Sequence, residues 1–165
     1  MGRRKLTGSA LVRVAAALLL GAVVVVGMRL WVVEPITVAS DSMEPTVMQG
    51  STLLVARWQS PPDASDVGGL VVFRSPDDGH SMLKRLVAVA GQTVAIRDGV
   101  LHVDGAAVHE PWVEPRHVDG TFFGLMEVPA GRVFVLGDNR AASIDSRDFG
   151  AVPVEDLIGS VLWLP

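Results

Sequence analysis

Two residues of this chain could act as nucleophile and base. One is Ser42, in Ser40-Asp41-Ser42-Met43-Glu44-Pro45; the other is Lys84, in Ser81-Met82-Leu83-Lys84-Arg85-Leu86-Val87-Ala88-Val89. A free serine hydroxyl is a poor nucleophile and needs a base that is unprotonated when the reaction occurs. The four histidines, His80, His102, His109 and His117, sit in polar or turn-like surroundings and in no recognisable catalytic motif. Lysine is the alternative, and the chain uses it twice, at Lys5 and Lys84, with arginine as every other basic residue. Arginine does not deprotonate in a protein, whereas a buried lysine can. Read as a strand, 81–89 places Lys84 on one face with Met82, Leu86 and Ala88. Burial on such a face can lower a lysine pKa by up to about 3–5 units, toward the range where a general base works. The competing reading is a lysine that snorkels to water in a chain that favours arginine.

A third stretch decides between them. Gly137-Asp138-Asn139-Arg140-Ala141-Ala142-Ser143-Ile144-Asp145-Ser146-Arg147 forms a dense polar loop after the strand-like Arg132–Leu136. Taken with Ser40-x-Ser42-Met43-x-Pro45 and Lys84-Arg85, in that order, it resembles the bacterial type I signal peptidases (leader peptidases), membrane-bound serine proteases with a Ser–Lys dyad. The short stretch between Lys84 and Gly137 resembles the compact Gram-positive or actinobacterial kind, without a large accessory β-domain.

The resemblance implies an endopeptidase that removes signal peptides from exported preproteins after a small-x-small motif. Ser42 and Lys84 would be catalytic. The Ser42 N–H is one candidate oxyanion donor, and by resemblance the Ser40 hydroxyl is the other. Ser143 matches the serine that orients the lysine, and Asp138, Asn139, Arg140, Asp145 and Arg147 match the supporting polar network. Ile36, Val38, Met43, Val47, Met82 and Leu83 match the wall of the substrate subsites. The substrate would lie as an added strand beside 36–40 and 82–84. Neither cofactor nor metal is implied. Some positions depart from the family pattern: Asp41 stands where glycine is usual, Ala39 where proline is common, Gly69-Leu70 for Gly-Asp, and Gln92 where aspartate is common. A carboxylate at 41 pointing inward would favour protonated Lys84.

The rest of the chain must position these groups. At 165 residues it suits one compact domain plus an anchor, and the absence of cysteine leaves the domain to stand on its core. Ala10 to Val33 is almost entirely apolar, with Arg13 and Arg29 near its ends, and about 20 such residues suffice to cross a bilayer. Arg3, Arg4 and Lys5 place the N-terminus in the cytoplasm by the positive-inside rule. A cleaved secretory leader is the rival reading. The run is longer than a usual leader core, and Thr37-x-Ala39 is a poor cleavage site just before the serine. The expected organisation is a cytoplasmic tip at 1–9, a transmembrane anchor at 10–33 and an extracytoplasmic peptidase domain at 34–165.

Of 14 lysines and arginines and 18 acidic residues, 9 basic and all 18 acidic fall from Glu34 onward. That balance argues against nucleic acid as a partner. The expected partners are preprotein signal peptides and membrane lipid, beside the export translocon. Outside the anchor, short apolar runs at 52–56, 70–73, 93–96, 100–103 and 132–136 alternate with turn residues, and Asp98-Gly99 marks a hairpin. The fold expected is mainly β: one N-terminal transmembrane helix, then an all-β domain. A related Ser–Lys processing protease for conjugation or other dedicated substrates shares this chemistry, and an inert membrane-tethered binding domain is the non-enzymatic alternative. A self-cleaving repressor-type protease is set aside by the apolar span and the acidic outer domain.

Overall fold

The computed structural model describes residues 8–57, 60–114 and 122–163. His117 and the basic residues at 3–5 lie outside them. The chain divides into two compact units, 1–34 and 35–165. The first is dominated by helix α1, Gly8–Val32. Within it, side chains are described for 12–24 and Gly27. Among the described residues, no helix is long and apolar enough to cross a membrane.

The second unit is built from β-strands. One sheet has seven, in the order β1 (Val33–Thr37), β2 (Thr52–Arg57), β11 (Leu157–Trp163), β3 (Leu70–Arg74), β4 (Ser81–Val89), β9 (Arg132–Leu136) and β10 (Val152–Pro153). The other has four, in the order β7 (Ala106–Ala107), β6 (Val100–Val103), β5 (Thr93–Arg97) and β8 (Phe123–Glu127). The Asp98-Gly99 hairpin forms as its sequence predicts. Arg97 pairs with Val100, and both turn residues have positive φ, 50° and 77°. Two-residue hairpins need that backbone to match strand twist. Asp104-Gly105, at φ 52° and 79°, repeats the device between β6 and β7.

Strand β4 positions the site. It pairs with β3 and β9, and Leu83 through Ala88 are all buried. A strand covered on both faces reads as a continuous apolar run, and here the run is interrupted by Lys84-Arg85. The alternation expected for 82–88 holds only in part. Against β9, Leu86 pairs with Val135 and Ala88 with Phe134, so Val87 is an extra residue, a bulge. Met82 and Leu86 accordingly pack with Val71, Phe73 and Val135, while Ala88 joins Val94, Phe134 and Leu136. The polar loop expected at 136–147 runs into a one-turn helix, α2 (Ser146–Phe149). Asp145 and Asp148 form its capping box, each carboxylate accepting from the other's end of the turn.

Candidate active site

The serine turn is pinned from below and behind. Met43 is fully buried among Val38, Val47, Leu53, Val55 and Leu83. The Val47 N–H donates to Met43 O at 2.9 Å, the Glu44 N–H to Asp41 O at 3.0 Å, and the Asn139 N–H to Ser42 O at 3.1 Å. These contacts leave the Ser42 side chain facing β4. Lys84 Nζ donates to Ser42 Oγ at 2.7 Å, and the Ser40 and Ser42 hydroxyls are 3.2 Å apart. Lys84 is 2% exposed. Burial pulls its pKa down from 10.5 to about 8; the Asp145 carboxylate opposes this, the Arg147 guanidinium adds to it, and the Asp138 and Asp41 carboxylates oppose it more weakly. Lys84 is therefore an amine that can shed its proton within hydrogen-bond reach of a hydroxyl.

The next residue points to the other side of the strand and has the opposite electrostatic fate. Arg85 donates through Nε and Nη2 to the two oxygens of Asp138, at 2.8 and 2.5 Å, and through Nη1 to Gly68 O at 2.6 Å. Its guanidinium lies 4.1 Å from the centroid of the Trp112 ring. Both partners of the pair are buried. Asp138→Ala would leave a buried guanidinium without its counter-charge, which costs about 3–5 kcal/mol. Urea unfolding should show that loss; a change of less than about 1 kcal/mol would mean that solvent reaches Arg85.

The 137–147 loop is held by backbone-directed side chains. Asp145 Oδ2 accepts from the Gly137 N–H at 2.9 Å, and its carboxylate also pairs with Arg147. Arg147 Nη2 donates to the Arg140 and Ser143 carbonyls, at 2.7 and 3.2 Å. Arg140 Nε donates to Gly137 O at 3.0 Å, and its Nη2 pairs with buried Glu110 at 2.5 Å. Ser143 Oγ is buried and has no hydrogen-bond partner among the described residues. It is thus brought close to Gly137 and the serine turn but not into a bond with Lys84.

A groove of about 150 Å³ opens beside the dyad. Of the residues expected to line it, Ile36, Val38, Met43, Met82 and Leu83 do so. Val47 does not; at 3% exposure it sits in the core beneath Met43. Val72 and Ser81 line the groove without having been expected, beside Thr37 and Ala39 of the 36–40 segment against which the substrate was expected to lie. Glu110 and Trp112 were also missed. The one mark they leave in the sequence is an aromatic residue in the aperiodic stretch after β7.

The signal peptidase family model (peptidase S26) matches residues 11–164 of this chain. The chain belongs to this family. It is similar to the probable signal peptidase I-1 of Synechocystis sp., at 36% identity over 145 residues that cover 82% of this chain and 72% of the relative. It is similar to signal peptidase I V of Bacillus subtilis, at 35% identity over 133 residues covering 73% and 78%. Among solved structures, a signal peptidase I from Enterococcus faecalis matches with a TM-score of 0.53 and 30% identity, covering 61% of this chain and 97% of that one. The mainly β architecture of 35–165 is thus that of the family, and family S26 is one of serine endopeptidases. The bacterial type I resemblance drawn from the three segments stands.

Proposed function

We propose that this chain is a membrane-anchored serine endopeptidase that removes signal peptides from exported preproteins, with Ser42 as nucleophile and Lys84 as base. The observation that carries the dyad is the 2.7 Å contact between a buried lysine amine and the serine hydroxyl. Neutral Lys84 Nζ takes the Ser42 proton as Oγ attacks the scissile carbonyl carbon. The tetrahedral intermediate collapses, the carbon–nitrogen bond breaks, and the Lys84 ammonium returns the proton to the leaving amine. Lys84 then deprotonates a water that attacks the acyl ester and frees Ser42. The Ser42 N–H and the Ser40 hydroxyl receive the oxyanion, and Ser143 would orient Lys84 only by turning its unpartnered hydroxyl toward the amine. Asp138, Asn139, Arg140, Asp145 and Arg147 hold that loop against the serine turn.

The groove supports selection of small side chains. Apolar Ile36, Val38, Met43, Met82 and Leu83 line it beside Thr37, Ser40, Ser81 and Lys84, and at about 150 Å³ it is small for a ligand pocket. The anchor reading is supported by the apolar sequence of 10–33, by the helical backbone of Gly8–Val32, and by exposed Val12, Leu18, Leu19, Leu20, Val23 and Val24 along it. A helix apolar all round wants an apolar solvent. Such an anchor would place 34–165 outside the cytoplasm, in reach of chains leaving the export translocon.

Cleavage of a preprotein with an Ala-x-Ala site, in detergent or liposomes, tests the reading. Wild type should cut after the second alanine, and Ser42→Ala and Lys84→Arg should not. Arginine keeps the charge and cannot serve as base. Cutting by Lys84→Arg at the wild-type rate would refute Lys84 as base. The acid limb of kcat/KM should follow the neutral amine, falling about tenfold per pH unit below a midpoint near 8. A rate flat from pH 6 to pH 9, about three units centred near that midpoint, would refute a titrating base.

A further inference from the structure

We infer that the Asp41 carboxylate selects the chain on the leaving side of the scissile bond, favouring substrates whose first released residues are basic and disfavouring acidic ones. The inference rests on the endopeptidase reading above and names a specificity residue for it. Every residue of 36–43 lines the groove except Asp41. Its neighbours Ser40 and Ser42 turn their hydroxyls toward one another at 3.2 Å on the groove side. The Asp41 side chain is exposed. Only its backbone carbonyl is engaged, by the Glu44 N–H at 3.0 Å and by Asn139 Nδ2 at 3.3 Å. Among the described residues its carboxylate has neither a hydrogen bond nor an ion pair.

That makes Asp41 unlike Asp138 and Asp145, the other carboxylates whose fields reach Lys84. Asp138 is neutralised by Arg85, Asp145 by Arg147, and Glu110 by Arg140. Asp41 has no such counter-charge among the described residues, and its field reaches Lys84. A peptide that fills the groove as far as Ser42 must continue past the serine, away from the groove. There the leaving half of the substrate meets Asp41. One like or unlike charge about 6 Å away through surface dielectric changes a rate by roughly 3–10-fold.

The test uses the full chain in detergent and three peptides identical through Ala-x-Ala, with Lys, Gln or Glu as the second released residue. Wild type should rank them Lys, Gln, Glu in kcat/KM, with about 3–10-fold between the ends at about 0.05 M salt and less at about 0.5 M. Asp41→Asn should collapse the ranking and Asp41→Lys should reverse it, with circular dichroism confirming that both are folded. Equal rates for the three peptides, or a ranking that survives Asp41→Asn, would overturn the inference and leave the endopeptidase reading intact. Failure of wild type to cut even the Gln peptide would overturn both. Should a variant not fold, the wild-type ranking decides: one that weakens with salt supports a local charge, and one indifferent to salt refutes it.

Discussion

Lys84→Met should abolish cleavage and make the protein more stable at neutral pH. Loss of the base should cost about 10⁴-fold or more in kcat. The stability gain follows from the same burial. In the folded chain the Lys84 pKa falls from 10.5 to about 8, so folding disfavours the ammonium form. Below pH 8 the lysine is protonated in both states and the folded state bears the full penalty, on the order of 3 kcal/mol. Between about 8 and 10.5 the unfolded chain holds a proton that the folded chain has released, so wild-type stability rises with pH and the penalty fades. Methionine has no such dependence. It forfeits the bond to Ser42, about 1 kcal/mol, which leaves a net gain of about 2 kcal/mol at pH 7. Urea unfolding of both proteins from pH 6 to pH 11, a range set by those two pKa values, should show the variant ahead at first and the gap closing. A variant less stable than wild type at pH 7 would mean that Lys84 is solvated in the folded chain.

Gly137→Ala should cripple the site through space alone. A Cβ at 137 would run into the Ser143 side chain and lie 2.7 Å from the Ser42 carbonyl oxygen. It would push the nucleophile's turn and the 143 loop apart next to the Asn139 N–H bond to the Ser42 carbonyl that joins them. A displacement of about 1 Å at the reacting atoms is enough for about a 10²-fold loss of kcat, and overpacking costs about 1–3 kcal/mol. Gly159→Ala is the control. Its Cβ would be driven against the Ala56 backbone between β11 and β2, away from the dyad. Stability should fall there too, while kcat per folded molecule holds. Equal kcat for wild type and Gly137→Ala would show that the turn and loop can separate without consequence.

The dyad was legible because its chemistry left marks in composition. A chain that writes arginine nearly everywhere kept a lysine on an apolar strand, and the serine turn and polar loop carried ordered motifs around it. The Asp98-Gly99 hairpin was legible because two-residue turns demand particular residues. Other features had no such mark. The Val87 bulge depends on how β9 lies beside β4, which alternation along one strand cannot reveal. Helix α2 spans four residues, too few for a period, although Asp145-Ser146-Arg147-Asp148 does spell its capping box. The Glu110–Arg140 pair joins residues 30 positions apart, with nothing local to announce either one. Val47 belongs to a turn, where no period says which side faces the groove and which the core.

The place of β11 in the large sheet sets a timetable for the site. It is the last of the described strands in chain order, yet it lies between β2, next to the serine turn in sequence, and β3, which pairs with the lysine strand. Until 157–163 arrive, the seven-stranded sheet lacks the strand that joins its serine half to its lysine half. Pairings so distant in sequence are also slow to form. The proposed nucleophile and base therefore belong to two halves of the sheet that only 157–163 bring together.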